Sequence, residues 1–143
     1  MSSSAVAVLA VIIAALGVAF VVGRLLTLRS GMLRDAAKAG DLSAEAASDL
    51  GLSSTGPTLL HFSAEWCGPC AAVRRVVDQV CTELPQVAHV ELDMDANPEA
   101  ARRLSVLSLP TTIVFGADGR PRFRVTGVPT AADLRSALEP LLA

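Results

Sequence analysis

Two cysteines separated by two residues, Cys67 and Cys70, lie where the sequence changes from a strand pattern to a helix pattern. The mostly apolar run Thr58–Ser63 precedes them and predicts a strand, and the residues that follow predict a helix over Cys67–Leu84. Thiols at this spacing lie about one helical turn apart and can close a small disulfide ring. The sequence therefore predicts a redox-active dithiol at a strand-to-helix junction.

The predicted helix start favours a reactive sulfur at Cys67. Only the thiolate of cysteine is nucleophilic, and the positive end of a helix dipole, together with free backbone N–H groups, stabilises that form. Pro69 is compatible with a first helical turn, where its missing N–H has no partner to lose. We expect an exposed Cys67 to attack a substrate disulfide and a shielded Cys70 to resolve the mixed disulfide.

Two other roles for the cysteines are less consistent with the sequence. A tetrahedral zinc site needs four ligands, and the only histidines, His61 and His89, form no second closely spaced pair. We therefore predict no metal site. Cys81 lies 11 residues beyond Cys70, about 16 Å along one helix, which is too far for a disulfide. It falls on the apolar stripe of that helix, so we predict a buried core residue.

Strand and helix patterns alternate from residue 57 onward. After the first helix they predict a strand over Ala88–Leu92, a helix from Pro98, strands over Thr111–Phe115 and Arg122–Thr126, and a last helix opened by Thr130. Asp118 and Gly119 form a hairpin signal, so the last two strands should be antiparallel. The first two strands should flank a right-handed parallel crossover. The expected fold class is α/β, a mixed central sheet with helices on both faces.

An uninterrupted apolar run, Ala5–Val22, contains neither proline nor a charged residue. Its roughly 18 residues would form a helix of about 27 Å, close to the hydrocarbon thickness of a bilayer. A cleaved signal peptide is disfavoured because residues 1–4 carry no basic side chain and the run ends without a small-x-small site. A buried core helix would show a polar face. We predict one transmembrane helix, with residues 1–23 as an anchor that enters the membrane through residues 5–22.

Basic residues follow the apolar run and do not precede it. Arg24, Arg29, Arg34 and Lys38 lie on its C-terminal side, and the positive-inside rule then places that side in the cytoplasm. We therefore predict a single-pass membrane protein whose C-terminal domain is cytoplasmic. The net charge is only −2 and the basic residues form no stripe, so no nucleic-acid partner is expected.

Residues 24–56 are predicted to connect the anchor to the folded domain. A basic amphipathic helix is expected over residues 25–39 and a short helix over residues 41–50. The turn-rich segment at residues 53–57 marks the boundary. Residues 57–143 are then the domain that carries the dithiol.

The segments around the cysteines resemble a known family. Residues 64–70 read Ala-Glu-Trp-Cys-Gly-Pro-Cys, and Leu109-Pro110-Thr111 and Thr126-Gly127 follow in the expected order. This pattern resembles the thioredoxin family over residues 57–143, although the family's usual first strand is not visible. The resemblance implies the thioredoxin fold, protein-disulfide reductase activity through the two cysteines, and no cofactor other than the redox-active Cys67–Cys70 disulfide.

The resemblance also assigns the surroundings of Cys67. Pro110 corresponds to the family's cis-proline, which faces the dithiol and adds to its catalytic site. The backbone of Leu109 would pair with an extended substrate segment. Trp66, Leu109, Pro110 and Gly127 would form a shallow apolar groove around the sulfur. Gly68 and Pro69, between the cysteines, complete the expected substrate-binding surface.

Two positions depart from the family pattern. Typical thioredoxins carry a buried Asp under the second cysteine and often a Lys on the neighbouring strand, where this chain has His61 and His89. A neutral imidazole, with an ordinary pKa near ~6.5, can also accept a proton. We hypothesise that His61 replaces the carboxylate as proton acceptor for Cys70, with His89 as its neighbour. The alternative is two strand histidines that only pack.

Three functions compete. The leading one is a membrane-tethered thiol–disulfide oxidoreductase that reduces protein disulfides on the cytoplasmic face, with an electron donor such as a thioredoxin reductase as a candidate partner. The second is the same chemistry on the outer face, resembling membrane-bound thioredoxins that reduce apocytochrome c or repair extracytoplasmic disulfides. The third is a non-enzymatic binding module, which the presence of both cysteines disfavours.

Overall fold

The computed structural model describes residues 3–29, 34–35 and 42–143. Its helices and strands are, in chain order, α1 (Ser3–Arg29), β1 (Arg34–Asp35), α2 (Ala44–Asp49), β2 (Thr58–Ser63), α3 (Cys70–Glu83), β3 (Ala88–Asp93), α4 (Pro98–Arg103), β4 (Thr111–Phe115), β5 (Pro121–Thr126) and α5 (Ala131–Leu142). The chain divides into two compact units, Met1–Ser30 and Gly31–Ala143.

The first unit is the helix α1. Within it, Ala7–Leu25 has a mean hydropathy of 2.6 and is long and apolar enough to cross a membrane, and its described side chains are exposed. Signal sequences, which also lie near the N-terminus, meet the same criteria of length and hydropathy. The helix predicted over residues 25–39 is correct as far as Arg29 and wrong at Arg34–Asp35, because that backbone is extended and pairs with β5. Residues 30–33 and 36–41 lie outside the described part of the chain.

The second unit is built on a five-stranded sheet with the order β1-β5-β4-β2-β3. The β2–β3 pair is parallel and is connected through α3, whereas β4 pairs antiparallel with both β2 and β5. The predicted parallel crossover and antiparallel hairpin are both confirmed. The two-residue β1 adds an edge strand beside β5.

The core has two halves, because successive side chains of the central strand β2 point to opposite faces of the sheet. On one face Leu59 packs with α3 and α5, and that cluster contains Val73, Val77, Val80, Leu134 and Leu138. On the other face Leu60 and Phe62 pack with Leu104, near the end of α4, and with Ile113 of β4. Helices therefore cover both faces, and the predicted α/β class with a mixed sheet is confirmed.

Residues on both sides of α2 also contact the second half of the core. Leu42, Leu50 and Leu52 pack against the cluster around Leu60, and Ala47 of α2 is buried. The short helix predicted over residues 41–50 is confirmed as α2. Part of the segment predicted as a linker is thus packed on the sheet.

Two local signals in the sequence have the structures that they predict. In the β4–β5 turn Gly119 has a φ of 73°, a left-handed conformation that favours glycine. At the start of α5 the Thr130 side chain accepts from the Asp133 N–H, and the Asp133 carboxylate accepts from the Thr130 N–H. This capping box satisfies backbone donors at the helix start.

Candidate active site

Cys67 lies in the loop after β2 and Cys70 is the first residue of α3, and the two form a disulfide with an S–S distance of 2.03 Å. The predicted helix start at Cys67 is wrong by three residues, because the helix begins at Cys70. The Cys70 N–H donates to the Cys67 carbonyl in a preceding turn. The Pro69 carbonyl then accepts from the N–H groups of Ala72 and Val73.

The disulfide is more shielded than the sequence predicts. Cys67 is 8% exposed and Cys70 is 2% exposed, because Ala64 and Leu109 pack against them. The expectation of an exposed Cys67 is therefore wrong for the disulfide form. Cys67 is nevertheless the more exposed of the two sulfur-bearing residues, and the Cys70 Sγ lies 4.0 Å from the carbonyl of Phe62, deep at the end of β2.

The segment that enters β4 lies beside the disulfide. Leu109 packs against the cluster formed by Ala64, Cys67 and Cys70, and the Leu109–Pro110 peptide bond is cis. The Pro110 carbonyl accepts from the Gly127 N–H at 2.9 Å. Gly127 has a φ of 92°, a conformation that disfavours other residues. Leu109, Pro110 and Gly127, which the family resemblance assigns to the groove, are thus connected to one another. Their role in binding substrate stays a prediction.

Trp66 presents a large apolar surface next to Cys67. Its side chain is 69% exposed, and its Nε1–H donates to Asp95 Oδ2 at 2.9 Å. The Asp93 carboxylate holds that loop by accepting from the N–H of Asp95. Gly68 and Pro69 are also exposed. Asp95 is not among the residues that the sequence predicts for the site, and only the fold brings it to Trp66.

The structure brings the two histidines together. His61 of β2 is fully buried, and by strand alternation it shares the α3 face of the sheet with Leu59. In the parallel β2–β3 pair Leu59 lies opposite His89, and His61 lies opposite Glu91. His61 Nδ1 is 3.0 Å from His89 Nε2, and the rings stack with their centroids 5.1 Å apart. Whether His61 accepts a proton from Cys70 stays a prediction.

The other nitrogen of His61 faces a carboxylate. Its Nε2 is 3.5 Å from Glu91 Oε1 and has no hydrogen-bond partner among the described residues. Two nitrogens of Arg74 donate to Glu91, and the Ser63 hydroxyl donates to Oε1 at 2.8 Å. These donors lower the pKa of Glu91 to about 2. A fixed negative charge therefore lies beside the unpaired nitrogen.

The far side of the pair reaches the surface. His89 Nδ1 lies 3.4 Å from Asp78 Oδ1 of α3. Asp78 and Arg74 lie four residues apart, so they share one side of the helix. Neither they nor Glu91 is among the residues that the sequence predicts for the site. Glu91 could have been identified from its two-residue spacing from His89, because residues two apart in a strand lie on the same side of the sheet.

Burial sets the protonation state of His61. Removal from water is the largest cause that lowers the pKa of His61 to about 4, with smaller contributions in the same direction from His89 and Arg74, while Glu91 opposes the shift. The imidazole is therefore neutral at pH 7. A neutral imidazole has one nitrogen without a hydrogen, and that nitrogen is able to accept a proton.

The third cysteine has a structural position. Cys81 is partly buried and packs against the cluster around Leu59, and burial raises the pKa of its thiol. The predicted core location is thus confirmed in part, since the residue keeps some exposure. Within the described ranges, no group of three or more His, Cys, Asp or Glu side chains is arranged to hold a metal ion.

Comparison with known proteins gives consistent matches. A family model described as Thioredoxin matches residues 43–140. The chain is 44% identical over 84 residues to a thioredoxin of Mycobacterium bovis, which covers 58% of this chain and 72% of the relative. It is 43% identical over 84 residues to a bifunctional thioredoxin reductase/thioredoxin of Mycobacterium leprae, covering 58% of this chain and 18% of that protein. A solved thioredoxin from Trypanosoma brucei brucei superposes with a TM-score of 0.58 at 31% identity, covering 70% of this chain and 86% of that one.

Proposed function

The chain belongs to the thioredoxin family, and on this premise we propose that it reduces disulfides of protein substrates while tethered to a membrane. It is a thiol–disulfide oxidoreductase: it has the thioredoxin fold, and its Cys67–Cys70 disulfide lies at the strand-to-helix junction. That disulfide is the observation that carries the proposal. The reducing direction is inferred from the Gly68-Pro69 pair between the cysteines, which resembles that of reducing thioredoxins.

The proposed reaction uses the two sulfurs in sequence. The Cys67 thiolate attacks one sulfur of the substrate disulfide, and the other leaves as a thiolate that takes up a proton. Cys70 then loses its proton and attacks the Cys67 sulfur, which releases the second substrate thiolate. Two electrons pass from the dithiol to the substrate, and the Cys67–Cys70 disulfide is the product. The greater exposure of Cys67 supports these unequal roles.

We assign the Cys70 proton to His61 Nε2. The register between β2 and β3 supports this assignment. His89 lies opposite Leu59 and contacts Nδ1 of His61, so this nitrogen points towards the N-terminal end of β2. Nε2 points towards Glu91, whose Oε1 also binds Ser63, the last residue of the strand. The cysteines follow that end of β2. The nitrogen without a hydrogen bond is thus on the edge of the ring that lies nearer the dithiol end.

The groove beside Cys67 is the proposed substrate-binding surface. The exposed Trp66 ring supplies apolar contact area. Leu109 lies against the cysteines, and its backbone can pair with an extended segment that carries the target disulfide. Pro110 and Gly127 bound this surface. Electrons return to the disulfide from a thioredoxin reductase, a partner suggested by the bifunctional thioredoxin reductase/thioredoxin of Mycobacterium leprae, and no other cofactor is needed.

The apolar helix α1 is the proposed anchor. Its segment Ala7–Leu25 is apolar apart from Arg24 near its C-terminal end, and Arg29, Arg34 and Lys38 follow it. These charges favour a cytoplasmic location for the C-terminal unit. The outward-facing alternative uses the same chemistry and differs only in this orientation.

A reductase assay on the full chain in detergent tests the proposed chemistry. With insulin as the disulfide probe and dithiothreitol as the electron source, the parent chain should accelerate reduction. Cys67→Ser should abolish that acceleration, because no nucleophile remains. The matched control is Cys81→Ser, which removes a thiol outside the site and should leave the activity in place. An unaltered rate for Cys67→Ser would overturn the proposal.

A further inference from the structure

Four polar groups form a line that passes through the buried His61, and the Glu91 side chain at its first end is 28% exposed. Glu91 Oε1 lies 3.5 Å from His61 Nε2, His61 Nδ1 lies 3.0 Å from His89 Nε2, and His89 Nδ1 lies 3.4 Å from Asp78 Oδ1. The exposed fraction of the side chains rises from 0% at His61 to 20% at His89 and 61% at Asp78. The two imidazoles therefore connect a buried nitrogen to a carboxylate in water.

We propose that His61 and His89 form a proton relay that carries the Cys70 proton to Asp78 and the solvent. The relay rests on the proposed reaction, in which His61 Nε2 receives that proton. An imidazole has two nitrogens and can gain a proton at one while it releases a proton from the other. A pair of such rings in contact moves a proton across both without either ring changing its net charge.

The proton balance defines two states. In the reduced protein His61 carries its proton on Nδ1 and donates to His89 Nε2, and His89 carries its proton on Nδ1, facing Asp78. When Cys70 protonates His61 Nε2, the Nδ1 proton passes to His89 Nε2, and the Nδ1 proton of His89 leaves to Asp78 and water. One proton enters the pair and one leaves it. Re-reduction of the disulfide runs the relay in reverse and returns a proton to Cys70.

Burial explains why His61 needs a second imidazole. The pKa of His61 is lowered to about 4, so an isolated imidazolium at this position is unfavourable at neutral pH. In the relay His61 stays neutral. Arg74 and Ser63 keep Glu91 ionised, with a pKa of about 2, and its carboxylate favours the Nε2–H form of His61 that follows proton uptake.

The groups around the pair are compatible with this assignment. The charged groups that face it are Glu91 from β3 and Arg74 and Asp78 from α3. From β4 the residue opposite His61 is Thr112, which does not titrate in this range. Its buried hydroxyl has no hydrogen-bond partner among the described residues. The acidic groups thus lie at the two ends of the pair, where the relay begins and ends.

Tautomers of the two rings test the relay without any substitution. The chain contains only two histidines, so ¹⁵N-histidine labelling of the full chain in detergent gives a simple spectrum. At pH 7 the ¹⁵N shifts should place the protons on both Nδ1 atoms in the reduced protein and on both Nε2 atoms in the oxidised protein. Identical tautomers in the two redox states would overturn the relay.

Variants at His89 supply the kinetic test. His89→Gln keeps an amide that can hydrogen-bond His61 but cannot pass a proton on. It should lower the single-turnover rate of insulin reduction at pH 7 roughly tenfold, which is less than the roughly 10²- to 10⁴-fold effect of a positioned general base, because His61 itself is still present. The matched control is Asp118→Asn. It neutralises an exposed carboxylate that pairs with Arg122 outside the site, and it should keep the parent rate. Thermal unfolding of each variant establishes that it is folded.

His61→Gln separates the relay from the proposed reaction. If His61→Gln is slow and His89→Gln has the parent rate, the base role of His61 stands and the relay is overturned. Parent rates in both variants overturn the base role and the relay together, while the Cys67 and Cys70 chemistry is tested separately by the cysteine variants. Slow turnover in both variants, with tautomers that switch on reduction, supports the relay.

Discussion

His61 has an imidazole in a place where water cannot reach it, and its environment stabilises the neutral form. The ring is fully buried and contacts a second imidazole at Nδ1. Its Nε2 lies beside Glu91 without a hydrogen bond in the described part of the chain. A polar atom left unpaired in the interior reduces stability, so its presence points to a function. The proposed proton transfer supplies that function.

The free energy of unfolding should fall when the pH drops from 6.5 to 4. The folded pKa of His61, about 4, lies below its unfolded value of 6.5, so the unfolded chain binds the proton first. This contribution is present above pH 6.5 and is lost as the pH falls to 4, a change of about 3 kcal/mol. Urea titrations of the full chain in detergent at several pH values measure it.

His61→Leu isolates this contribution. The variant should lack most of the decrease between pH 6.5 and 4, because no ring titrates. Glu91 acts in a separate window: its lowered pKa, about 2, adds stability that is present above pH 4.5 and is lost only as the pH falls through 2. An unchanged dependence on pH between 6.5 and 4 in His61→Leu would contradict the assignment to His61.

At the scale of single elements, the strands and helices of the C-terminal unit follow from sequence patterns. Apolar runs predict β2 and β4, and the capping residues predict the start of α5. The start of α3 is not predicted correctly, because Cys67 accepts a turn hydrogen bond from Cys70 before the helix begins. A two-residue strand such as β1 has no pattern of its own, since only backbone pairing with β5 defines it.

The candidate site is only partly predictable for a related reason. The motif identifies Cys67 and Cys70, and the family resemblance points to His61. The contacts of His61 with Glu91 and of Trp66 with Asp95 depend on the register between β2 and β3 and on the loop after β3. Register is a property of the paired strands, and the sequence of either strand alone does not contain it.

The end of β5 depends on one glycine. Gly127 has a φ of 92°, which a residue with a Cβ adopts only with strain, so Gly127→Ala should lower the free energy of unfolding by about 1 kcal/mol. Gly68→Ala is the matched control, because a Cβ there meets nothing within 4 Å and its φ is not positive. Chemical denaturation of both variants checks the prediction, and equal stabilities would contradict it.

At the scale of the whole molecule, the apolar helix α1 is the feature on which the proposed membrane location of the dithiol depends. The C-terminal unit contains the redox site, and the helix α1 contains the segment that can cross a membrane. The sequence identifies this segment by length and composition alone. In the proposed membrane-tethered protein, the charges that flank the segment set which side of the membrane receives the second unit.

Labelling in intact cells tests the predicted orientation. A membrane-impermeant maleimide, applied with an impermeant reductant, should leave Cys67 unmodified, since the C-terminal unit is predicted to be cytoplasmic. Permeabilised cells should give modification at Cys67, located by peptide mass spectrometry. Modification of Cys67 in intact cells would contradict the cytoplasmic orientation and favour the outward-facing alternative.

Trapping at Cys67 tests the central claim most directly. In Cys70→Ser the attack on a substrate disulfide proceeds but the mixed disulfide is not resolved. Full-length Cys70→Ser purified from cells under acid quench should therefore contain proteins joined through Cys67, and the double variant with Cys67→Ser should contain none. If the adducts of Cys70→Ser do not exceed those of the double variant, Cys67 is not the nucleophile for protein disulfides and the proposed function is wrong.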